Sequence, residues 1–129
     1  MALYRCMSGG SGGGVTQINL WTIADKSVSS NASPITLSDA VENYEQIMIT
    51  YRSSTTDSFE RSVTVNTSEV LTDATTKYVF FGGHDGSSNY VSYVVFNGGT
   101  SVNIGNCYQV RGTGNNNNKY YPVSIDGFK

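Results

Sequence analysis

Two stretches in the first half of the chain alternate apolar and polar residues, and this alternation limits the fold more than any other feature. The first stretch spans Tyr44 to Arg52, and the second spans Phe59 to Asn66. A period of two is the repeat of a β-strand with one face buried and one face in solvent. The two stretches therefore predict neighbouring strands of a half-buried sheet.

Further short strand-like segments follow one another along the chain, separated by turns rich in Gly, Asn and Ser. They are 15–23, 77–81, 90–96, 101–104, 107–111 and 120–125. Many short strands at about 8–12-residue spacing predict an all-β fold, an antiparallel β-sandwich that is jelly-roll-like. The single helix candidate is one turn near Asp39 to Asn43, and residues 126–129 are predicted to form a terminal turn.

Segments 77–81 and 90–96 are apolar on both faces. Runs of this kind are typical of central strands that are covered on both sides. The turn-rich segment 82–89 between them predicts a hairpin with a long loop.

Length and charge restrict the class of protein. The chain has 129 residues, enough for one domain. Its net charge of −2 argues against a basic nucleic-acid surface, and its 12% aromatic content argues against a disordered chain. Residues 1–14 include a Gly/Ser-rich stretch and are predicted to be a flexible segment, with the β-sandwich domain spanning 15–129.

No segment approaches the roughly 20 apolar residues of a membrane span, and the N-terminus lacks the apolar stretch of a signal peptide. We therefore expect a soluble protein that is made in a cytoplasm and does not insert into membranes. In that compartment Cys6 and Cys107 are expected to be reduced thiols, although they permit one disulfide. Two distant cysteines and one histidine do not form a structural zinc motif.

The sequence contains no recognisable catalytic arrangement. His84 is the sole histidine, and it lies beside Asp85 in a glycine-rich segment, which is not the geometry of a nucleophilic triad. The ten acidic residues are scattered, and no pair belongs to a distinctive glycosidase motif. The sequence also lacks a calcium loop and a phosphate-binding loop, so we predict no metal, no cofactor and no enzymatic activity.

The chain carries nine Tyr, five Phe and one Trp, most of them in or beside predicted strands. Tyrosine has an apolar ring and a polar hydroxyl, so it suits sheet faces, subunit interfaces and sugar-stacking surfaces. A sandwich core explains the larger part of them. Because segment 90–96 is apolar on both faces, we expect a homo-oligomer interface to cover part of its surface.

The order of several segments resembles the small β-sandwich domains at the C-termini of bacteriophage and prophage tail proteins, including tail-fibre and baseplate components. The segments that carry the resemblance are Leu20-Trp21-Thr22, Ile35 to Ser38, Asn43 to Arg52, Gly105 to Tyr108 and Pro122 to Lys129. The final strand of that family often reads Lys-Ile-Tyr-Gly-Ile-Lys, and here Asp126 stands where the family tends to have Tyr. Such domains usually follow a longer attachment region, and we expect the Gly-rich segment to stand in its place in this sequence.

The resemblance implies a non-enzymatic structural protein of the virion tail, made in the bacterial cytoplasm. Such proteins are often homotrimers, contact other tail proteins, and in some cases bind cell-surface glycans. Loops 53–58, 82–89 and 112–119 would then carry recognition. The candidate ligand-binding residues are His84, Asp85, Asn89 and Tyr90.

Two other functions remain open on the sequence. A stand-alone bacterial carbohydrate-binding module would share the sandwich, and it predicts a monomer with a flat row of exposed aromatic rings. A hydrolase with its acids in a jelly-roll cleft would need a pair of carboxylates with strongly shifted pKa values.

Overall fold

The computed structural model describes residues 14–26, 35–53, 60–71, 78–84, 89–105, 108–109 and 120–129. The described residues form nine strands: β1 Gln17–Thr22, β2 Ile35–Thr36, β3 Gln46–Ser53, β4 Glu60–Asn66, β5 Tyr78–His84, β6 Asn89–Phe96, β7 Ser101–Ile104, β8 Tyr108–Gln109 and β9 Tyr120–Phe128. A 3-10 turn spans Val41–Asn43, and a short helix, α1, spans Thr67–Leu71. The expectations for Cys6, Cys107 and residues 1–13 lie outside the described residues.

The strands form two antiparallel sheets, which confirms the predicted all-β sandwich. The first sheet has the order β1-β9-β3-β4, and the second has the order β2-β7-β6-β5. The short strand β8 also pairs with β6, opposite Tyr90 and Val91, while β7 pairs with Val94 to Phe96. Strands β7 and β8 therefore pair with successive parts of β6.

The pairing pattern shares its outer part with a jelly roll. The first strand pairs with the last, β1 with β9, and the next pair in, β2 with β7, lies in the other sheet. The inner strands instead form two local hairpins, β3 with β4 and β5 with β6. The outer strands thus pair with partners far away in the sequence, as in a jelly roll, whereas the inner strands pair with their sequence neighbours.

The core lies between the two sheets. Ile47, Ile49 and Ile125 of the first sheet and Val94 and Val102 of the second have no solvent exposure (0%). Burial of each such side chain stabilises the fold by about 1.5–3 kcal/mol. The alternation that predicted β3 is therefore the alternation that places every second side chain in this core.

Polar contacts also join the sheets. The Tyr51 hydroxyl donates to the Gly82 carbonyl at 3.1 Å, and its ring lies 4.9 Å from that of Phe81. The Ser92 hydroxyl donates to the carbonyl oxygen of Tyr120 at 2.9 Å. These contacts give the two sheets a fixed alignment.

The sandwich has two distinct ends. At one, Thr16 and Lys129 exchange backbone hydrogen bonds of 2.7 and 3.0 Å, so the chain enters β1 beside the end of β9. We call this the tether end. At the opposite end Ser53 pairs with Tyr120, and the Tyr120 ring lies 6.3 Å from that of Tyr90. We call this the loop end.

Four details of the sequence prediction are wrong. Segment 77–81 was predicted to be a central strand covered on both sides, yet β5 is an edge strand of the second sheet, and its Phe80 is 59% exposed. Residues 126–128 are not a turn but the last part of β9. Residues 82–84 are not loop but the last part of β5. Helix α1 was not expected, because its five residues follow a strand without a helical pattern of apolar side chains.

Candidate functional site

The described residues that flank three predicted recognition loops lie at the loop end. Ser53 and Glu60 border the segment after β3, and His84 and Asn89 border the segment after β5. Strand β8 pairs with Tyr90 and Val91, so β8 also lies at the loop end. Tyr120, the first residue of β9, borders the segment that follows β8. The antiparallel order of the strands therefore directs three separate parts of the chain to one end of the sandwich.

Two of the four predicted site residues come together there. His84 and Asn89 are cross-strand partners on the hairpin of β5 and β6, and both are exposed. His84 Nδ1 lies 2.9 Å from Asn89 Oδ1, a hydrogen-bond distance. Since Oδ1 accepts, the imidazole donates from Nδ1 in this arrangement.

Tyr90 does not join that pair. Successive side chains of a strand point to opposite faces, and Tyr90 follows Asn89, so it points into the core with 9% exposure. Its ring packs near the ring of Tyr120. Asp85 lies outside the described residues.

The outer face of the second sheet carries an aromatic cluster, formed by the exposed Tyr78 and Phe80 and the half-buried Tyr93. Phe80 is 59% exposed and Tyr78 is 42% exposed. Each has its ring centroid 5.6 Å from that of Tyr93. Together with the half-buried Val91 and Val95, these side chains form what we call the aromatic face.

The Tyr93 ring lies against Gly105, directly after β7, in space that any side chain at that position would occupy. A Cβ atom at Gly105 would overlap the Tyr93 ring, and the Gly105 amide donates to the Tyr93 carbonyl at 2.7 Å. The glycine thus allows the ring to extend the aromatic face over the neighbouring strand.

The described residues that point outward from this sheet include no charged side chain. Strand pairing and alternation assign to this face the following residues: Thr36, Tyr78, Phe80, Gly82, His84, Asn89, Val91, Tyr93, Val95, Ser101 and Asn103. Depletion of charge with enrichment of aromatics is typical of the centre of a contact surface.

The outer face of the first sheet is different in character. The Asp126 carboxylate, 9% exposed, accepts hydrogen bonds from the side-chain amides of Gln17 at 2.9 Å and Asn19 at 2.7 Å. Lys26 and Glu60 form an ion pair with an N–O distance of 2.6 Å. Polar side chains on this face bind one another, so it is less suited than the aromatic face to an apolar contact.

A shallow pocket of about 400 Å³ lies at the tether end, lined by Glu42, Tyr44, Glu45, Asn66, Thr67 and Ser68. Glu42 accepts from the Gly99 amide at 2.8 Å and holds the turn between β6 and β7.

Beside this pocket, the pKa values of Asp39 and Tyr44 are perturbed. The Tyr44 hydroxyl, the Ala40 amide and the Asn43 amide donate to the Asp39 carboxylate and hold its pKa below the usual 3.8. Burial and the Asp39 contact raise the pKa of Tyr44 above 10.0. Both shifts move away from neutrality, which is opposite to the tuning of a general acid or base at physiological pH.

Within the described residues, no three His, Cys, Asp or Glu side chains are placed to hold a metal ion. In the same part of the chain, no helix has the length and apolar character to cross a membrane.

Comparison with known proteins adds no relative: no model of a protein family matches the chain, and a search of curated proteins finds no match.

Part of this site is predictable from the sequence. The apolar character of both faces of 90–96 indicated that β6 has more apolar surface than one core covers, and the aromatic face includes its outward residues. The contact of Tyr93 with Gly105 is not predictable from the sequence, because an isolated glycine after a strand predicts a turn. Only the pairing of β6 with β7 brings the two together.

Proposed function

We propose that this protein is a non-enzymatic, tail-associated structural protein of a bacteriophage or prophage that contacts a glycan of the host surface at its loop end. The observation that carries the proposal is the difference between the two ends of the sandwich. The described chain leads into β1 at the tether end, beside Thr16 and Lys129, and the described residues that flank three loops lie at the other end. A module fixed at one end and presenting loops at the other is suited to recognition at the tip of an assembly.

The chemistry of the loop end agrees with a neutral glycan as ligand. His84 and Asn89 present an imidazole and an amide at the surface, with one hydrogen bond between them and further donors and acceptors available to sugar hydroxyls. In the sequence, segments 85–88 and 110–119, which lie outside the described residues, contain further Ser and Asn residues.

A second candidate function is a stand-alone bacterial carbohydrate-binding module. The row of rings formed by the exposed Tyr78 and Phe80 and the half-buried Tyr93 favours it, because aromatic rings stack on the apolar faces of sugars. Both candidate functions include glycan binding. They differ in the surface that binds the glycan and in whether the protein works within a larger assembly. The tail protein binds at the loop end within a virion, whereas the module binds on the aromatic face as a monomer.

Binding to an array of bacterial surface polysaccharides and oligosaccharides tests the proposal. The variant His84→Ala/Asn89→Ala removes the exposed polar pair and is expected to weaken glycan binding about tenfold, the loss of one or two hydrogen bonds. Ser62→Ala, an exposed position on β4 of the other sheet, is the matched control and should bind as the parent does.

Mass spectrometry of particles released by prophage induction of the source bacterium tests the virion assignment. Detection in purified particles, with binding lost in the double variant, supports the tail protein. Absence from particles, with binding that depends on Phe80 instead, would transfer the function to the carbohydrate-binding module. An array on which the parent protein binds nothing would contradict both.

A further inference from the structure

The aromatic face needs a covering surface. Phe80 is more than half exposed and Tyr78 nearly so, in contact through Tyr93. Single exposed apolar residues are ordinary on protein surfaces, whereas a contiguous aromatic patch marks a contact site. The patch is built on two paired strands, β5 and β6, whose register is regular over seven residue pairs, so its shape is set by the sheet.

Charge argues for a second copy of this chain as the occupant. The protein has a net charge of −2 and 18 charged side chains from 8 basic and 10 acidic residues, yet the described outward residues of this sheet include none of them. Two identical acidic molecules repel each other least where they meet through an uncharged surface. A depleted centre with charge kept at the periphery is the composition of interfaces between subunits.

The position of the face agrees with the same occupant. It lies on the side of the sandwich, between the tether end and the loop end. Copies that meet side by side through it keep every tether end and every loop end accessible, as closed cyclic symmetry allows. Contact through either end would cover the chain entry or the recognition loops.

Pairing of the edge strand β5 with a second β5 fits less well. The Gly82 carbonyl already accepts a hydrogen bond from the Tyr51 hydroxyl at 3.1 Å, and a Cβ there would overlap the Tyr90 carbonyl oxygen. This end of β5 is therefore held towards its own molecule. Antiparallel pairing of two such edges would also place the tether ends on opposite sides.

We propose that the aromatic face is the interface through which copies of this chain pack side by side in a homo-oligomer. Tyr78, Phe80 and Tyr93 form the centre of the interface. Gly105 acts indirectly, since its lack of a side chain leaves the space that the Tyr93 ring occupies. The interface is independent of the virion assignment and of the glycan, so its test uses the full chain alone.

Solution mass by light scattering coupled to size exclusion tests the proposal at micromolar concentrations. The parent protein is expected at a multiple of the 13.9 kDa chain mass. Phe80→Ser is expected to raise the dissociation constant about 30-fold, as loss of an aromatic hot spot does. Gly105→Ala displaces Tyr93 and is expected to weaken assembly without removing an aromatic ring.

Controls keep the result interpretable. Phe80 is exposed in the single chain, so Phe80→Ser should leave the thermal midpoint of the monomer unchanged, and Ser62→Ala should assemble as the parent does. A parent mass of 13.9 kDa at every concentration overturns the proposal. So does an oligomer that Phe80→Ser leaves intact. A monomeric parent whose saccharide binding is lost in Phe80→Ser also overturns it and assigns the face to a sugar.

Discussion

Replacing Gly127 by alanine inserts a methyl group into a crowded contact at the tether end. Gly127 is buried in β9 and is flanked on both sides, by Ile18 of β1 and Ile47 of β3. Its φ is not positive, so an alanine meets no backbone strain there. The obstacle is the ring of Tyr44: an ideally placed Cβ would lie 2.5 Å from Tyr44 Cγ, about 1 Å inside normal carbon contact.

The ring has little freedom to move away. Tyr44 is 5% exposed, its hydroxyl donates to Asp39 at 2.9 Å, and the Lys129 ammonium lies 4.9 Å from its centroid on the ring face. Overpacking of this kind costs about 1–3 kcal/mol, and we place this case near the upper limit because β9 is held between two strands. The lower entropy of the unfolded alanine chain offsets about 0.4–1 kcal/mol. The net expectation is a loss of about 2 kcal/mol in the free energy of unfolding.

Urea unfolding of the parent and of Gly127→Ala, followed by far-ultraviolet circular dichroism, measures this loss. Gly14→Ala is the control, because no atom lies within 4 Å of a Cβ at that position. In a Tyr44→Ala background the ring is absent, so Gly127→Ala should cost nothing further. If Gly127→Ala costs the same in both backgrounds, or leaves stability unchanged in the parent, the contact is not the reason for the glycine.

Two further predictions concern single polar groups. The Thr67 hydroxyl is buried without a hydrogen-bond partner in a residue of 4% exposure, so the isosteric Thr67→Val should stabilise the fold by about 1 kcal/mol in the same urea assay; destabilisation would show that the hydroxyl is satisfied. The folded pKa of Asp39 is lowered by the donors around it, Tyr44 first, so its contribution to stability is present above pH 3.8 and is lost as pH falls through the folded pKa. Asp39→Asn should therefore flatten the fall of stability below pH 3.8, and a fall equal to that of the parent would contradict the assignment.

The strands of strongest alternation were predictable because their pattern and their environment agree. The stretch Tyr44 to Arg52 became β3, Gln46–Ser53, with every second side chain in the core. The turn Asn97-Gly98-Gly99 was also predictable, since Gly98 and Gly99 adopt φ values of 88° and 60°. Strand order was not, because pairing of β1 with β9 depends on contacts more than 100 residues apart in sequence.

Glycines inside strands account for the main errors of prediction. Gly82 and Gly83 predict a turn, yet they lie in β5. Glycine is required at these positions because the Tyr90 backbone and the Tyr120 hydroxyl occupy the space of a Cβ. Gly127 likewise lies in β9 beneath the Tyr44 ring. A glycine required by close approach and a glycine required by a turn look alike in one sequence. Only the three-dimensional neighbours distinguish them.

The same limit decides which part of the candidate site was foreseeable. His84 and Asn89 were proposed as loop residues, and they lie at the ends of strands that the glycines extend, which fixes them as a cross-strand pair. Tyr90 was grouped with them by sequence proximity, although the strand period sends it to the opposite face. Once β5 is known to continue through its glycines, the alternation itself separates the polar pair from the core tyrosine.

The arrangement of the strands separates the aromatic face from the polar pair at the loop end. Every second residue of β5 and β6 faces outward, so one pair of strands supplies both the aromatic face along its length and the polar pair His84 and Asn89 at its tip. Phe80 and His84 lie four residues apart, about 13 Å along a strand. At that separation substitutions act independently unless they share a partner. Assembly through the aromatic face and recognition at the loop end can therefore be altered one at a time, which makes the two proposals separable by the variants given above.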